Sequence, residues 1–239
     1  MGTPTRFTYG LATVAKGKPL GDYPLPDPFH TSSDSGLDVF TYSNDFVDLG
    51  NTASRTITGG AAFALADGVG GIGVLTPVSA TAASVYRTAA AFQFIGGNKF
   101  WFLHRIKASA ITGAMVLNFG MSKVSGGTIA TTDRIYFTKP ASSTSLNLVS
   151  VVNNTSTTLL TGITTVAADT YLDVGFYYDG TDLQVFVADN MVARVSGVTI
   201  GTTGTTISNA LMSPFFSITP VATETVTIDY ALIAEETTR

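Results

Sequence analysis

Side chains able to carry chemistry are few in this 239-residue chain: two His, three Glu and no Cys. Without Cys there are no disulfides, thiolate nucleophiles or Cys-based zinc sites. His104 lies in Lys99-Phe100-Trp101-Phe102-Leu103-His104-Arg105-Ile106-Lys107, on the strand face shared by Phe100, Phe102 and Ile106. A catalytic His needs a nucleophile and an orienting carboxylate within reach, and the spacing supplies neither. His104 therefore reads as a core or interface residue satisfied by backbone groups, and His30, beside Phe29, as a solvated or interfacial one. Glycoside hydrolysis needs two carboxylates facing across the scissile bond. Glu occurs only at Glu224, Glu235 and Glu236, and Asp173, the best-placed strand carboxylate, has no acid two residues to either side. The acids Asp34, Asp38, Asp45 and Asp48 lack the alternating ligands and closing Glu of a calcium loop. Gly68-Val69-Gly70-Gly71-Ile72-Gly73 matches a dinucleotide-binding string, yet no helical pattern follows it, so it reads as a mobile connection. Asp179-Gly180-Thr181-Asp182 is turn chemistry. The expectation is a protein without enzymatic activity, bound metal or cofactor.

The elements around these residues have a period of two. In Thr170 to Tyr178, Leu172, Val174, Phe176 and Tyr178 share one face, with Tyr171, Asp173, Gly175 and Tyr177 on the other. Asp179-Gly180-Thr181 turns the chain into Leu183, Val185 and Val187, alternating with Asp182, Gln184 and Phe186. Asp189-Asn190 then turns it into Met191 to Val195, completing a meander. Near the C-terminus Val226, Ile228, Tyr230 and Leu232 alternate with Thr225, Thr227 and Asp229. Further strands are predicted over residues 61–66, 89–95, 99–108, 114–121, 134–138, 145–152 and 214–219. Short strands with Gly, Asn, Asp and Thr-Ser clusters between them predict an all-β, two-sheet antiparallel sandwich. One such domain spans residues 51–239.

Residues 1–50 have another texture. Five of the nine prolines fall here, three of them in Pro24-Leu25-Pro26-Asp27-Pro28. Proline lacks an N–H and biases its predecessor toward extended backbone, so an extended arm and lead-in is expected. Bulky anchors at Phe7, Tyr9, Leu11, Leu20, Tyr23, Leu25 and Phe29 are more than a solvated tail needs. Fully extended, 28 residues reach roughly 90 Å, against about 40 Å for a compact body of this size. Charged residues make up 13% of the chain, about half the usual share, with net charge −4 and 45% hydrophobic residues. That balance excludes disorder of the whole chain and a broad basic surface for nucleic acid. The most apolar window, residues 61–83, is broken by Asp67, Pro77 and several Gly, so no membrane span is expected. The start, Met1 to Arg6, lacks the apolar run of a secretory signal.

Several of these segments carry a likeness. Thr5-Arg6-Phe7, Gly10, Thr13-Val14 and the run Pro19 to Pro28 resemble the start of a group of tailed-bacteriophage proteins, and Tyr42 to Phe46 resembles their entry into the first strand. Phe92-Gln93-Phe94, Gly97 to Phe102 and Arg105-Ile106-Lys107 are similar to their central strand pair, and Asp229 to Ala234 to their last strand. The likeness runs nearly end to end, apart from about Val124 to Thr165. These are capsid decoration, or cement, proteins with a concanavalin-like jelly-roll fold. The resemblance implies a virion protein on the outer capsid surface, bound to the major capsid protein and to itself as a homodimer or homotrimer. Its capsid-binding arm would use Arg6, Phe7, Tyr9, Lys16, Lys18, Pro19, Leu20, Tyr23, Pro24, Leu25 and Pro26. The alternative is a carbohydrate-binding head-fibre or receptor-binding module, with Tyr171, Tyr177 and Phe186 as a glycan platform if their face is open.

Overall fold

A computed structural model describes residues 38–44, 54–66 and 71–237. The arm residues Arg6 to Pro26, His30 and the acids Asp34, Asp45 and Asp48 lie outside this range. Among the described residues there are seventeen strands: β1 (Asp38–Asn44), β2 (Arg55–Ile57), β3 (Ala62–Ala66), β4 (Ile72–Thr76), β5 (Ala83–Arg87), β6 (Phe100–Ala108), β7 (Val116–Ser125), β8 (Thr128–Lys139), β9 (Ser145–Val152), β10 (Thr155–Thr165), β11 (Leu172–Tyr178), β12 (Leu183–Val187), β13 (Asn190–Val195), β14 (Ile200–Gly201), β15 (Ile207–Ser208), β16 (Met212–Thr219) and β17 (Val226–Thr237). Among the described residues no helix is long and apolar enough to cross a membrane.

The strands form two antiparallel layers. Sheet A runs β13-β12-β11-β6-β17-β4-β3, with β1 also on β17, and sheet B runs β10-β9-β8-β7-β16-β5-β2. A small parallel pair, β14-β15, stands apart. The fold is the all-β antiparallel sandwich that the alternation predicts. Strand β1 draws residues 38–44 of the lead-in segment into sheet A.

Alternation decides which side chains meet between the layers. Phe100, Phe102, His104 and Ile106 of β6 and Val174, Phe176 and Tyr178 of β11 are buried in the central core. Sheet B answers with Phe119, Phe137 and Phe216. Rings stack within and across the layers: Phe94 on Phe100 at 4.0 Å, Phe102 on Phe176 at 4.8 Å and His104 against Phe216 at 4.6 Å. Close-packed ring pairs add to the burial term with geometric preference.

Turns fix the registers. Gly126-Gly127, Asn153-Asn154 and Ala188-Asp189 form three two-residue hairpin loops, and all six residues have positive φ. Such turns match the twist of the flanking strands. The turn before β13 is thus Ala188-Asp189, one residue earlier than expected. At the preceding turn, Asp179 Oδ1 accepts from Thr181 N at 2.9 Å and Asp182 N at 2.7 Å, and Gly180 has φ +100°. The two paired Asn of the β9–β10 turn and the bulged, Thr-rich β10 fall in the segment that resembled nothing.

Two strand expectations are corrected. Residues 89–95 form no strand; only Phe92 bridges Met212, while Phe92 and Phe94 plug the end of the core. In β17 the alternation of Val226, Ile228, Tyr230 and Leu232 is broken by a bulge between Ile228 and Tyr230. Val226 and Ile228 enter the central core, whereas Tyr230 and Leu232 emerge on the outer face of sheet A. One extra residue reverses every facing beyond it.

Lys139, at the end of β8, is fully buried, and its Nζ donates to Thr112 O at 2.9 Å and Met115 O at 2.5 Å. The ammonium ties the 112–115 loop to sheet B. Lys139→Met keeps the volume but strips both carbonyls of their donor, so the urea midpoint should fall by an amount equivalent to roughly 2 kcal/mol.

Candidate functional site

The outer face of sheet A holds the only predicted site residues that the fold brings together among the described ones. On β6 Trp101, Leu103, Arg105 and Lys107 alternate with the core residues and so point outward. Asp173, Gly175 and Tyr177 do the same on β11, and Phe186 on β12. In register, Tyr177 lies opposite Trp101, and Asp173 opposite Arg105. Leu232 and Ala234 of β17 stand across from Leu103 and Trp101 on the other side.

One half of this face is apolar. Trp101, Leu103, Tyr177, Phe186, Tyr230, Leu232 and Ala234 form a separate buried cluster, none more than 5% exposed. The Trp101 and Tyr177 rings are 5.3 Å apart. Burial, with the charges of Asp179 and Glu236 adding, raises the Tyr177 phenol to about 12. Tyr177 and Phe186 share the face that the alternation gave them, but their rings have almost no exposed surface.

The other half is charged. Arg105 Nε lies 3.2 Å from Asp229 Oδ2 and 3.8 Å from Asp173 Oδ1, as ion-pair contacts rather than aligned hydrogen bonds. Tyr230 Oη donates to Asp173 Oδ1 at 3.2 Å. Tyr171 is half-buried, with the Arg105 guanidinium 4.6 Å and the Lys107 ammonium 5.2 Å from its ring centre. Lys107 is paired with Asp169 at 2.9 Å. A cation over an aromatic face is favourable, and here it occupies the Tyr171 face that a sugar would need.

Asp229 is the partner carboxylate that spacing along one strand did not reveal. The β17 bulge places Asp229 and Tyr230 beside one Arg105, and register brings Asp173 from the opposite side. Both carboxylates lie within ion-pair distance of a shared guanidinium, and Asp173 also accepts from Tyr230 Oη.

The three Glu hold loops. Glu224 Oε2 accepts from Val221 N at 2.9 Å and Ala222 N at 2.8 Å, and its Oε1 accepts from Thr112 Oγ1 at 3.0 Å. Glu236 Oε2 accepts from Lys99 N at 2.9 Å. Glu235 Oε2 accepts from Gln93 N at 2.6 Å, and burial raises its carboxyl against the opposing pull of that bond.

His104 corrects another expectation. It is fully buried in the core, as its alternation requires, but neither ring nitrogen has a hydrogen-bond partner among the described residues. Its neighbours are the rings of Phe102 at 4.1 Å, Phe216 at 4.6 Å and Phe119 at 6.4 Å. Burial pushes the imidazole well below its ordinary pKa, so the ring is neutral. Among the described residues no group of three or more His, Asp or Glu could hold a metal ion.

The chain matches no family model, and no curated protein aligns with it significantly. Solved structures do share its architecture. The endo-1,3-β-glucanase of Streptomyces sioyaensis superposes with a TM-score of 0.61 at 11% identity, covering 85% of this chain and 99% of that one. The carbohydrate esterase vb_24B_21 of the Shiga toxin-encoding bacteriophage phi24B gives 0.52 at 14%, covering 83% and 100%. The exoplasmic/lumenal domain of VIP36, in its Ca2+/Man3GlcNAc-bound form, gives 0.55 at 11%, covering 82% and 89%. At these identities the likeness is one of fold, and the fold is a concanavalin-like jelly-roll sandwich.

Proposed function

We propose that this chain is a structural virion protein that decorates and stabilises a bacteriophage capsid, binding across major capsid protein subunits with its arm and its sandwich. The observation that supports this reading best is the closed state of the outer face of sheet A. Its aromatic rings are buried and its carboxylates are joined through Arg105, leaving a body better suited to being held than to turning over a substrate. The arm of residues 1–28 adds reach and a second point of attachment at high effective concentration. Its anchors Phe7, Leu20, Tyr23 and Leu25 would bury apolar area on the capsid, while Arg6, Lys16 and Lys18 would meet acidic surface. The protein would act as a homodimer or homotrimer on the outer capsid surface, without cofactor. Deleting residues 1–28 should abolish retention on purified capsids lacking the protein, measured by sedimentation and cryo-EM occupancy. Unchanged occupancy would refute the role of the arm.

A second reading draws on the similarity to a phage carbohydrate esterase and a glycan-bound domain. In it the chain is a lectin-like head-fibre or receptor-binding module, with Tyr171, Tyr177 and Phe186 contacting glycan once their face is opened. It predicts saturable binding on a glycan array that is lost in Tyr177→Ala.

A further inference from the structure

Two arginines without a counter-ion among the described residues face each other in sheet B. Strands β2 and β5 pair so that Arg55 lies opposite Arg87. Thr88 N donates to Ser54 O at 3.0 Å and Thr58 N to Ser84 O at 2.9 Å. Hydrogen-bonded and non-hydrogen-bonded pairs alternate along an antiparallel ladder, so Ser54–Thr88, Thr56–Tyr86 and Thr58–Ser84 are of the first kind and Arg55–Arg87 is of the second. In that second kind the side chains are closer, with Cα atoms about 4.5 Å apart. Like charges directly opposite each other cost stability, and this sequence keeps them there.

Arg87 stands two residues beyond Val85, and Arg55 two before Ile57, the partner of Val85, so both take the face that Val85 turns to the core. From there they reach across to sheet A. Arg55 Cζ lies 5.6 Å from the centre of the Phe63 ring, and Arg87 Cζ 4.8 Å from that of Tyr42. The rings hold the cations in place but offer no lone pair, so the N–H forks stay available. Ion pairs among the described residues belong to Arg105, Lys107, Lys123 and Arg194; neither Arg55 nor Arg87 makes one there. Both arginines are half-buried, and β2 is the edge strand of sheet B, which puts the pair at the rim of the sandwich.

We propose that Arg55 and Arg87 form a binding site for a tetrahedral, doubly charged oxyanion of the phosphate class, either free phosphate or a phosphate monoester. Each guanidinium donates a forked pair of hydrogen bonds to two of its oxygens, and its two negative charges match the two positive ones that otherwise repel. A lysine would supply the charge without the fork. Arg134 is the contrast: it also lies over a ring, 4.4 Å from the centre of Tyr136, but its cross-strand partners are Ser122 and Val151, so it is a single cation. The inference does not depend on the capsid reading, because it requires only the arginine pair.

Calorimetric titration of the full chain with inorganic phosphate, at an ionic strength held constant with chloride, should show saturable uptake. Phenyl phosphate should compete for the same site, and the tighter of the two tells the free ion from the ester. Arg55→Gln and Arg87→Gln should each weaken binding about tenfold or more, while Arg134→Gln should bind as the native chain does. Should a variant of the pair lose its far-UV circular dichroism, the native chain still decides the matter through phenylglyoxal, which modifies guanidinium groups. Phosphate should slow the labelling of Arg55 and Arg87 severalfold and leave that of Arg134 and Arg194 unchanged. No saturable uptake, equal affinity in the native chain and in either folded Gln variant of the pair, or labelling of Arg55 and Arg87 that phosphate slows no more than that of Arg134 and Arg194 would overturn the proposal.

Discussion

Acidification from pH 6.5 to 5 should weaken the native state by up to about 1.4 kcal/mol per pH unit through one side chain, His104. Its folded pKa lies well below the ordinary value of 6.5, because burial disfavours the imidazolium. Between the two values the unfolded chain takes up a proton that the folded chain refuses, so stability is complete above about pH 6.5 and falls as the pH drops. Among the described residues the ring meets apolar groups: it packs on Phe102, Phe119 and Phe216, with Val174 and Ala231 beside it in register. Asp133, Asp182 and Glu224, whose folded values are lowered from 3.8, 3.8 and 4.5, lose their contributions only in more acid solution. Glu235, whose value is raised, has the opposite sign and favours the folded state on acidification. His104→Leu should therefore flatten the profile between pH 6.5 and 5. At pH 7 it should also raise stability by about 1 kcal/mol, since two buried polar atoms without partners disappear. Urea titrations of both proteins at several pH values measure the effect; parallel profiles would show that His104 is not its source.

Gly175→Ala should cost about 3 kcal/mol, at the upper end for overpacking. A Cβ on Gly175 would stand 2.3 Å from Phe102 O, 2.8 Å from Leu103 Cδ1 and 3.1 Å from Leu103 Cα. All three atoms are on β6, the central strand of sheet A, and two of them are backbone, so relief requires strands β11 and β6 to separate. Gly120 is the counterpart in sheet B, with Ile135 O at 2.4 Å and Tyr136 Cα at 2.5 Å, and its Ala variant should behave alike. Gly113 has no neighbour within 4 Å of such an atom, and Gly113→Ala should leave the denaturation midpoint near that of the native protein. A loss at Gly113 equal to that at Gly175 would show that steric contact is not the cause.

What the sequence revealed follows from how local each feature is. The meander β11-β12-β13 was legible because its alternation and Asp179-Gly180 turn lie within one stretch. Strand β10 was not: at the edge of sheet B its Thr-rich faces are both largely exposed, so no hydrophobic period marks it. The facing of Tyr230 and Leu232 was misread because a bulge leaves no compositional trace, and the same bulge hid the meeting of Asp229 with Arg105. His104 was placed correctly in the core, since alternation is local, but its want of partners depends on Phe119 and Phe216 from the opposite sheet. For Tyr177 and Phe186 alternation along one strand shows the face and not the burial.

Strand β17 also governs the order in which the sandwich is completed. It is the seam of sheet A, joining β6 and its neighbours to β4, β3 and β1. Until it pairs, the sheet exists as two separate halves with open edges, and β1 has no partner strand. Residues 38–44 thus wait for residues 231–237, a closure across nearly the whole chain that is slow by its loop entropy. The hairpins of sheet B, by contrast, can form from neighbouring residues alone. A ribosome-bound chain would therefore carry a partly built sheet B and an unjoined sheet A until its last strand emerged, exposing apolar edges for most of its synthesis.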